Sequence, residues 1–377
     1  MSRLIRVLAL GIALVATSTA LAGSGTSTVS GIWRKLPTAP LAIPQNQTSV
    51  WTGRQVIVFG RSPQTNPSGD VAEAYDPNAH SWKRLSPPKG PDFTYGYASV
   101  WTGTEMLAFG SFHSAAYNPA TGRWRELRRP STVPGGIFPG GIVVWTGREA
   151  IGWGGGCCGD AWSNGAAYNP TTGTYRNLPR SPLAGSQHPL GAWTGRELVL
   201  FVSRFDPDGK LYPADLARAA AYNPTTNAWR LIAPLPVTGA RYQFYGAAVW
   251  DGREILVTGT GAKARSAFAY DPTTNHWRRL APLPASRVGG TAVWTGKQLF
   301  VWGGQRPGAT ASLAGGLAYD PASDRWSTIP RAPLQPRSGS AVQWTGHELV
   351  VWGGAIPRRV GAPTYVRDGA AFEPAAQ

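Results

Sequence analysis

The sequence predicts an all-β protein, a seven-bladed propeller of four-stranded antiparallel sheets, and three observations predict it. Trp-Thr-Gly recurs at Trp51, Trp101, Trp145, Trp193, Trp294 and Trp344, with Trp-Asp-Gly at Trp250. The mean spacing is about 49 residues, in the range of propeller blades. A second phrase, an aromatic followed by Asp, Asn or Glu and then Pro, starts at Tyr75, Tyr117, Tyr168, Tyr222, Tyr270, Tyr319 and Phe372. Finally, the chain holds 47 Gly and 33 Pro and is only 15% charged, with 17 Trp for a core. Long helices and coiled coils are thereby excluded, and frequent tight turns are expected.

Each repeat yields four strands in order. An apolar run ends in Trp-Thr-Gly, whose glycine accepts the positive φ of a tight turn. A second apolar run follows, as in ELVLF at 197–201, and often ends in glycine. The third carries Ala-Ala-Tyr into a turn that starts with Asn-Pro or Asp-Pro. The fourth carries an aromatic seven residues beyond the Tyr: Trp82, Trp124, Tyr175, Trp229, Trp277 and Trp326. The copy at Phe372 has no such partner before Gln377. That partner is expected from the other end, where GIWRKLP at 31–37 repeats the pattern of NHWRRLA at 275–281. Borrowing this N-terminal strand closes the last blade, since an open ring would expose two blade faces.

Three segments follow: a signal peptide at 1–22, a short linker at 23–31 and the propeller at 32–377. Arg3 and Arg6 precede an apolar run at 7–16, and Ala20-Leu21-Ala22 supplies a small-x-small cleavage site, the pattern of a secretory leader. The location expected is secreted, or periplasmic and cell-surface; an uncleaved anchor is the other reading of the same segment. No later run of apolar residues is long enough to span a membrane. The whole chain carries 36 Lys and Arg against 20 Asp and Glu, a formal charge of +16.

Trp302-Gly303-Gly304, Tyr319-Asp320-Pro321 and Trp326, repeated over about 32–374, resemble the Kelch family of propellers. That family includes protein-binding and sugar-binding modules, sialic acid epimerases and the catalytic domain of galactose oxidase, so the resemblance implies the fold and leaves activity open. A copper centre of the galactose oxidase kind would need two His, two Tyr and a Cys crosslink, together with a further C-terminal domain that does not follow here. His80, His276 and His347 fall in the repeated turns, and only His113 and His188 reach the other side. No metal and no cofactor is expected.

Most acidic residues also recur with the repeat. Glu105, Glu149, Glu197, Glu254 and Glu348 follow the first turn, and an exposed ring formed with Arg54, Arg148, Arg196, Arg253 and Lys297 is expected for them. The variable connections, between strands two and three and between successive blades, emerge on the opposite face. They carry 18 Lys and Arg against eight Asp and Glu, which favours anionic ligands and speeds their arrival in a salt-dependent way.

Candidate ligand-binding residues on this face are Arg241, Arg287, Arg337, Trp162, Asp160, His113, Tyr95 and Tyr245. Arginines fork onto carboxylates or phosphates, and aromatic rings stack on sugars. Cys157 and Cys158, adjacent in the loop at 154–162, are expected to form a vicinal disulfide in an oxidising compartment. The function expected is that of an exported binding scaffold for an anionic glycan, a cell-envelope polymer or a protein, with nucleic acid excluded as a partner. A carbohydrate-active enzyme resembling the sialic acid epimerases is the alternative, and no catalytic residue is assigned.

Overall fold

The computed structural model describes residues 26–43, 47–62, 69–88, 98–110, 113–128, 140–156, 161–202, 218–236, 246–260, 265–309, 311–358 and 361–375. Seven four-stranded antiparallel sheets form blades I (48–85), II (98–126), III (142–177), IV (190–231), V (247–279), VI (291–329) and VII (341–374). Blade VII takes its outer strand from Gly31–Lys35, which pairs antiparallel with Gly369–Pro374 in a register that sets Trp33 opposite Phe372. The first strands of neighbouring blades touch all the way round, with blade VII against blade I, so the ring is closed. Among the described residues no helix is long and apolar enough to cross a membrane.

The two repeated turns explain the repeated phrases. In the first, Thr52 Oγ1 accepts the N–H groups of Arg54 and Gln55 at 3.2 and 2.9 Å, and Gly53 takes φ 86°. Asp251 does the same work in the Trp-Asp-Gly copy, accepting from Arg253 and Glu254. A hydroxyl and a short carboxylate are interchangeable there because both accept local N–H groups. In the second turn Asp76, Asn118, Asn169, Asn223, Asp271 and Asp320 accept from residues two ahead.

The core lies between blades. The tyrosines of the third strands are buried, as are Phe59, Phe109, Phe201 and Phe300 of the second strands. Tryptophans of the first turn are only half-buried. Each outer-strand Trp packs on the neighbouring Tyr or Phe of its own blade, with centroids 4.9–5.3 Å apart. Its indole N–H crosses to the preceding blade, to the carbonyl just past that blade's outer strand. Trp82 reaches Pro37 O, Trp124 Ser86 O, Trp229 Pro179 O, Trp277 Ala233 O, Trp326 Ala281 O and Trp33 Pro330 O, all at 2.6–3.0 Å. Tyr175, which has no indole, stands at this position in blade III.

The closure has a second seam. Ser27–Val29, which the sequence leaves in the linker, run parallel to the outer strand of blade VI: Val29 N–H donates to Thr328 O and Thr328 N–H to Ser27 O, both at 2.8 Å. Trp33 meets Trp302 at 5.0 Å and Phe372 at 5.3 Å between centroids. Trp33→Ala should therefore lower unfolding free energy by about 3 kcal/mol, whereas Ile32→Ala, at a side chain 77% exposed, should change it by less than about 0.5 kcal/mol. Urea denaturation of the two variants checks this.

Candidate functional site

The short-turn face uses its charges internally. Outer-strand arginines grip the glutamate after the first turn of their own blade: Arg125–Glu105, Arg176–Glu149, Arg230–Glu197, Arg278–Glu254 and Arg34–Glu348, at 2.6–2.9 Å. Nη1 of Arg34, Arg125 and Arg176 also reaches the hydroxyl of Tyr75, Tyr168 and Tyr222 in the next blade. This corrects the expected pairing with the arginines beside the turn glycines. Those side chains leave the turn toward solvent, while the Arg two strands away lies along the blade surface with its guanidinium over the carboxylate. Arg54 does approach an acid, but it is Asp76, at 3.7 Å.

The opposite face opens in a cleft beside blade VII. It is an open cleft of about 490 Å³, lined by Lys35, Thr38, Gln335, Arg337, Tyr365, Arg367 and Asp368 among others. Four segments build it: the end of the borrowed strand, the connector after it, the connector entering blade VII, and the loop returning from a short hairpin, Ala355–Ile356 with Thr364–Tyr365. Arg337 is buried beneath it and holds Asp368 through two bonds, Nη1–Oδ1 at 2.7 Å and Nη2–Oδ2 at 3.1 Å. Burial pushes the Asp368 carboxyl up, but the Arg337 hydrogen bonds and the charges of Arg337 and Lys35 outweigh it and leave it below its ordinary value. Lys35 and Arg367 are exposed, and Arg367 Nη1 donates to Pro40 O at 3.0 Å. The cleft thus keeps two cations that no carboxylate contacts among the described residues.

The other candidates are dispersed. Arg287 is buried in the connector entering blade VI and donates to the carbonyls of Gly303 and Gly315. Trp162 sits half-buried on the loop of blade III, where its N–H donates to Gly155 O and its carbonyl accepts from Ser186. His113 precedes the third strand of blade II, 4.0 Å from Glu126. The described members therefore do not share one pocket. Arg241, Tyr95, Tyr245, Asp160, Cys157 and Cys158 lie outside the described residues. Lys35 and Thr38 were not singled out in the sequence, because they lie at the end of and just past an outer strand that only closure brings against blade VII.

Glu73 is a buried acid, one of the eight that the repeat pattern assigns to the variable connections. It lies instead in the third strand of blade I, Asp70–Asp76, where the other blades carry Ala115, Ala166, Ala220, Phe268, Leu317 and Ala370. Its Oε1 accepts the Leu41 N–H at 2.8 Å, tying the connector from the borrowed strand to blade I, and Oε2 is buried without a partner. Burial pushes this carboxyl up to about 7, against the Leu41 hydrogen bond and the charges of Arg84 and Arg367.

No family profile matches the chain, and no curated protein matches it in sequence. Among solved structures, a novel fungal alcohol oxidase of the AA5 family, in complex with copper, matches with a TM-score of 0.67 at 14% identity. The match covers 91% of this chain and 76% of that one. At such identity the likeness shows a common architecture and leaves chemistry to the site. Among the described residues no three of His, Cys, Asp and Glu come together to hold a metal. Of the histidines, His113 and His188 lie on the variable face, His113 before the third strand of blade II and His188 in the connector entering blade IV.

The titration of Glu73 has a definite sign. With its folded value raised above the ordinary 4.5, the group binds its proton more tightly in the folded chain. Its contribution to stability is complete below pH 4.5 and is lost as pH rises through about 7. Glu73→Gln should therefore be the more stable protein at pH 8, by on the order of 2–3 kcal/mol, and the advantage should vanish near pH 4.5. Melting curves of both proteins across that range read the difference directly.

Proposed function

We propose that the protein is an exported, Kelch-type binding propeller whose ligand is an anionic glycan or cell-envelope polymer held on the variable face. The observation that carries this reading is the cleft beside blade VII, which exposed Lys35 and Arg367 line together with half-buried Tyr365. Asp368, the acid in the lining, is occupied by Arg337. Two cations about an aromatic platform suit a sugar ring that bears a negative charge, the ring stacking on Tyr365 while its anion meets Lys35 and Arg367. The export of the chain rests on its leader sequence, and the Kelch character on the repeated phrases.

The probe is polygalacturonate, compared with neutral dextran. Binding of the acidic polymer should weaken steeply with added salt, and Lys35→Ala with Arg367→Ala should weaken it about tenfold or more at low salt. Tyr365→Ala should weaken binding without changing the salt dependence. Affinity indifferent to salt and to these substitutions, or equal affinity for dextran, rejects the proposal.

A further inference from the structure

Arg287 and Arg337 hold the same place in blades VI and VII, seven residues before Trp294 and Trp344, and the backbone around them repeats bond for bond. Val288 and Gln305 exchange two backbone hydrogen bonds, as do Ser338 and Ala355. Leu313 N–H donates to Gly304 O, and Val366 N–H to Gly354 O. Gly303 N–H donates to Gly315 O, and Gly353 N–H to Asp368 O. Gly315 is therefore the counterpart of Asp368. Nη1 of each arginine faces the same pair of carbonyls, Gly303 and Gly315 in blade VI and Gly353 and Asp368 in blade VII.

What differs is the anion. Arg337 holds the Asp368 carboxylate with both terminal nitrogens. Arg287 contacts no carboxylate among the described residues, and its Nη2 makes no hydrogen bond with them. The position from which a carboxylate would come is open, because a Cβ on Gly315 would meet nothing within 4 Å. The Asp368 side chain is 51% exposed, so in blade VII the anion approaches its arginine from the solvent side. Burial holds Arg287 down to about 10, which still leaves it charged at neutral pH. A buried cation without a counter-charge is costly, and a ligand that supplies one is correspondingly favoured. Nε is buried without a partner beside a void of about 10 Å³, room for one water, so a ligand reaches Arg287 over Gly315 and not through the void.

We propose that Arg287 is the receptor for the carboxylate of an acidic sugar, a uronate, seated above Gly315 where Asp368 sits above Arg337. The anion site stands on its own geometry, one blade away from Lys35 and Arg367; only the choice of a sugar as its carrier rests on the function proposed above. Arg306, exposed and next in sequence to Gln305, adds a second cation to the same edge.

Glucuronate is titrated into nitrogen-15-labelled protein, and the Nε–H resonance of Arg287, assigned by its loss in Arg287→Lys, is followed. A saturable shift is expected, with none from methyl glucoside. Gly315→Asp supplies the carboxylate from within the chain. It should raise the melting temperature and weaken glucuronate about tenfold or more at this resonance, while Gly315→Ala should bind as the unaltered protein does. The response should survive Lys35→Ala with Arg367→Ala, which separates this site from the cleft of blade VII. A Gly315→Asp variant that still responds with unaltered affinity overturns the assignment, as does a shift that never saturates or an equal shift from methyl glucoside.

Discussion

The ring depends on one contact made again and again: an outer-strand indole donating to the carbonyl just past the outer strand of the blade before it. The bond fixes the angle between neighbouring sheets, because the Trp ring must lie over its own Tyr while its N–H reaches across. Burial of aromatic area supplies the bulk of the adhesion, and the hydrogen bond supplies its direction. Closure at blade VII is the same contact, made by Trp33 to Pro330 across nearly the whole length of the chain.

A second linkage, electrostatic, runs round the short-turn face. Glu, Arg and Tyr recur together, the Arg gripping the Glu of its own blade and, in three described cases, bonding the Tyr of the next. The linkage is absent at two blades: blade I carries Gln55 and Lys83 although Tyr117 is kept in blade II, and at the junction of blades VI and VII all three positions change, to Gln298, Ser327 and Phe372. That junction is also the one along which Ser27–Val29 lie. Backbone pairing and stacking of Trp33, Trp302 and Phe372 there take the place of charge. The repeated face thus pairs most of its glutamates internally, and the ligand proposed above is for that reason placed on the irregular face.

The blade count, the strand order and the borrowed strand were legible because each rests on residues that recur at a fixed period and do one local job. Thr52 and Asp251, for instance, both hold a turn with a side-chain oxygen. Partners across strands were less legible. The sequence placed Glu105 beside neighbouring turn arginines, whereas the width of the sheet brings it to Arg125. Glu73 escaped notice as a strand residue because its neighbours at the same position are apolar. The cleft of blade VII joins Lys35 to Arg367, residues more than 300 apart in sequence, and only the closed ring reveals that they adjoin. Arg287 and Arg337 were both visible as cations on one face. That one is satisfied by Asp368 and the other is not depends on a single residue, Gly315, whose importance lies in a side chain it does not have.

The pairing of Trp33 with Phe372 also governs when the molecule can become itself. A ribosome adding about 5–20 residues per second takes roughly 20–70 s to travel from the first of these residues to the second. Throughout that interval six blades can assemble while the seventh waits, its edge unpaired and its aromatic partner already synthesised but unmatched. Nascent chain is therefore kept from a finished state until translation has passed Phe372, and whatever machinery handles it meanwhile meets an incomplete circle.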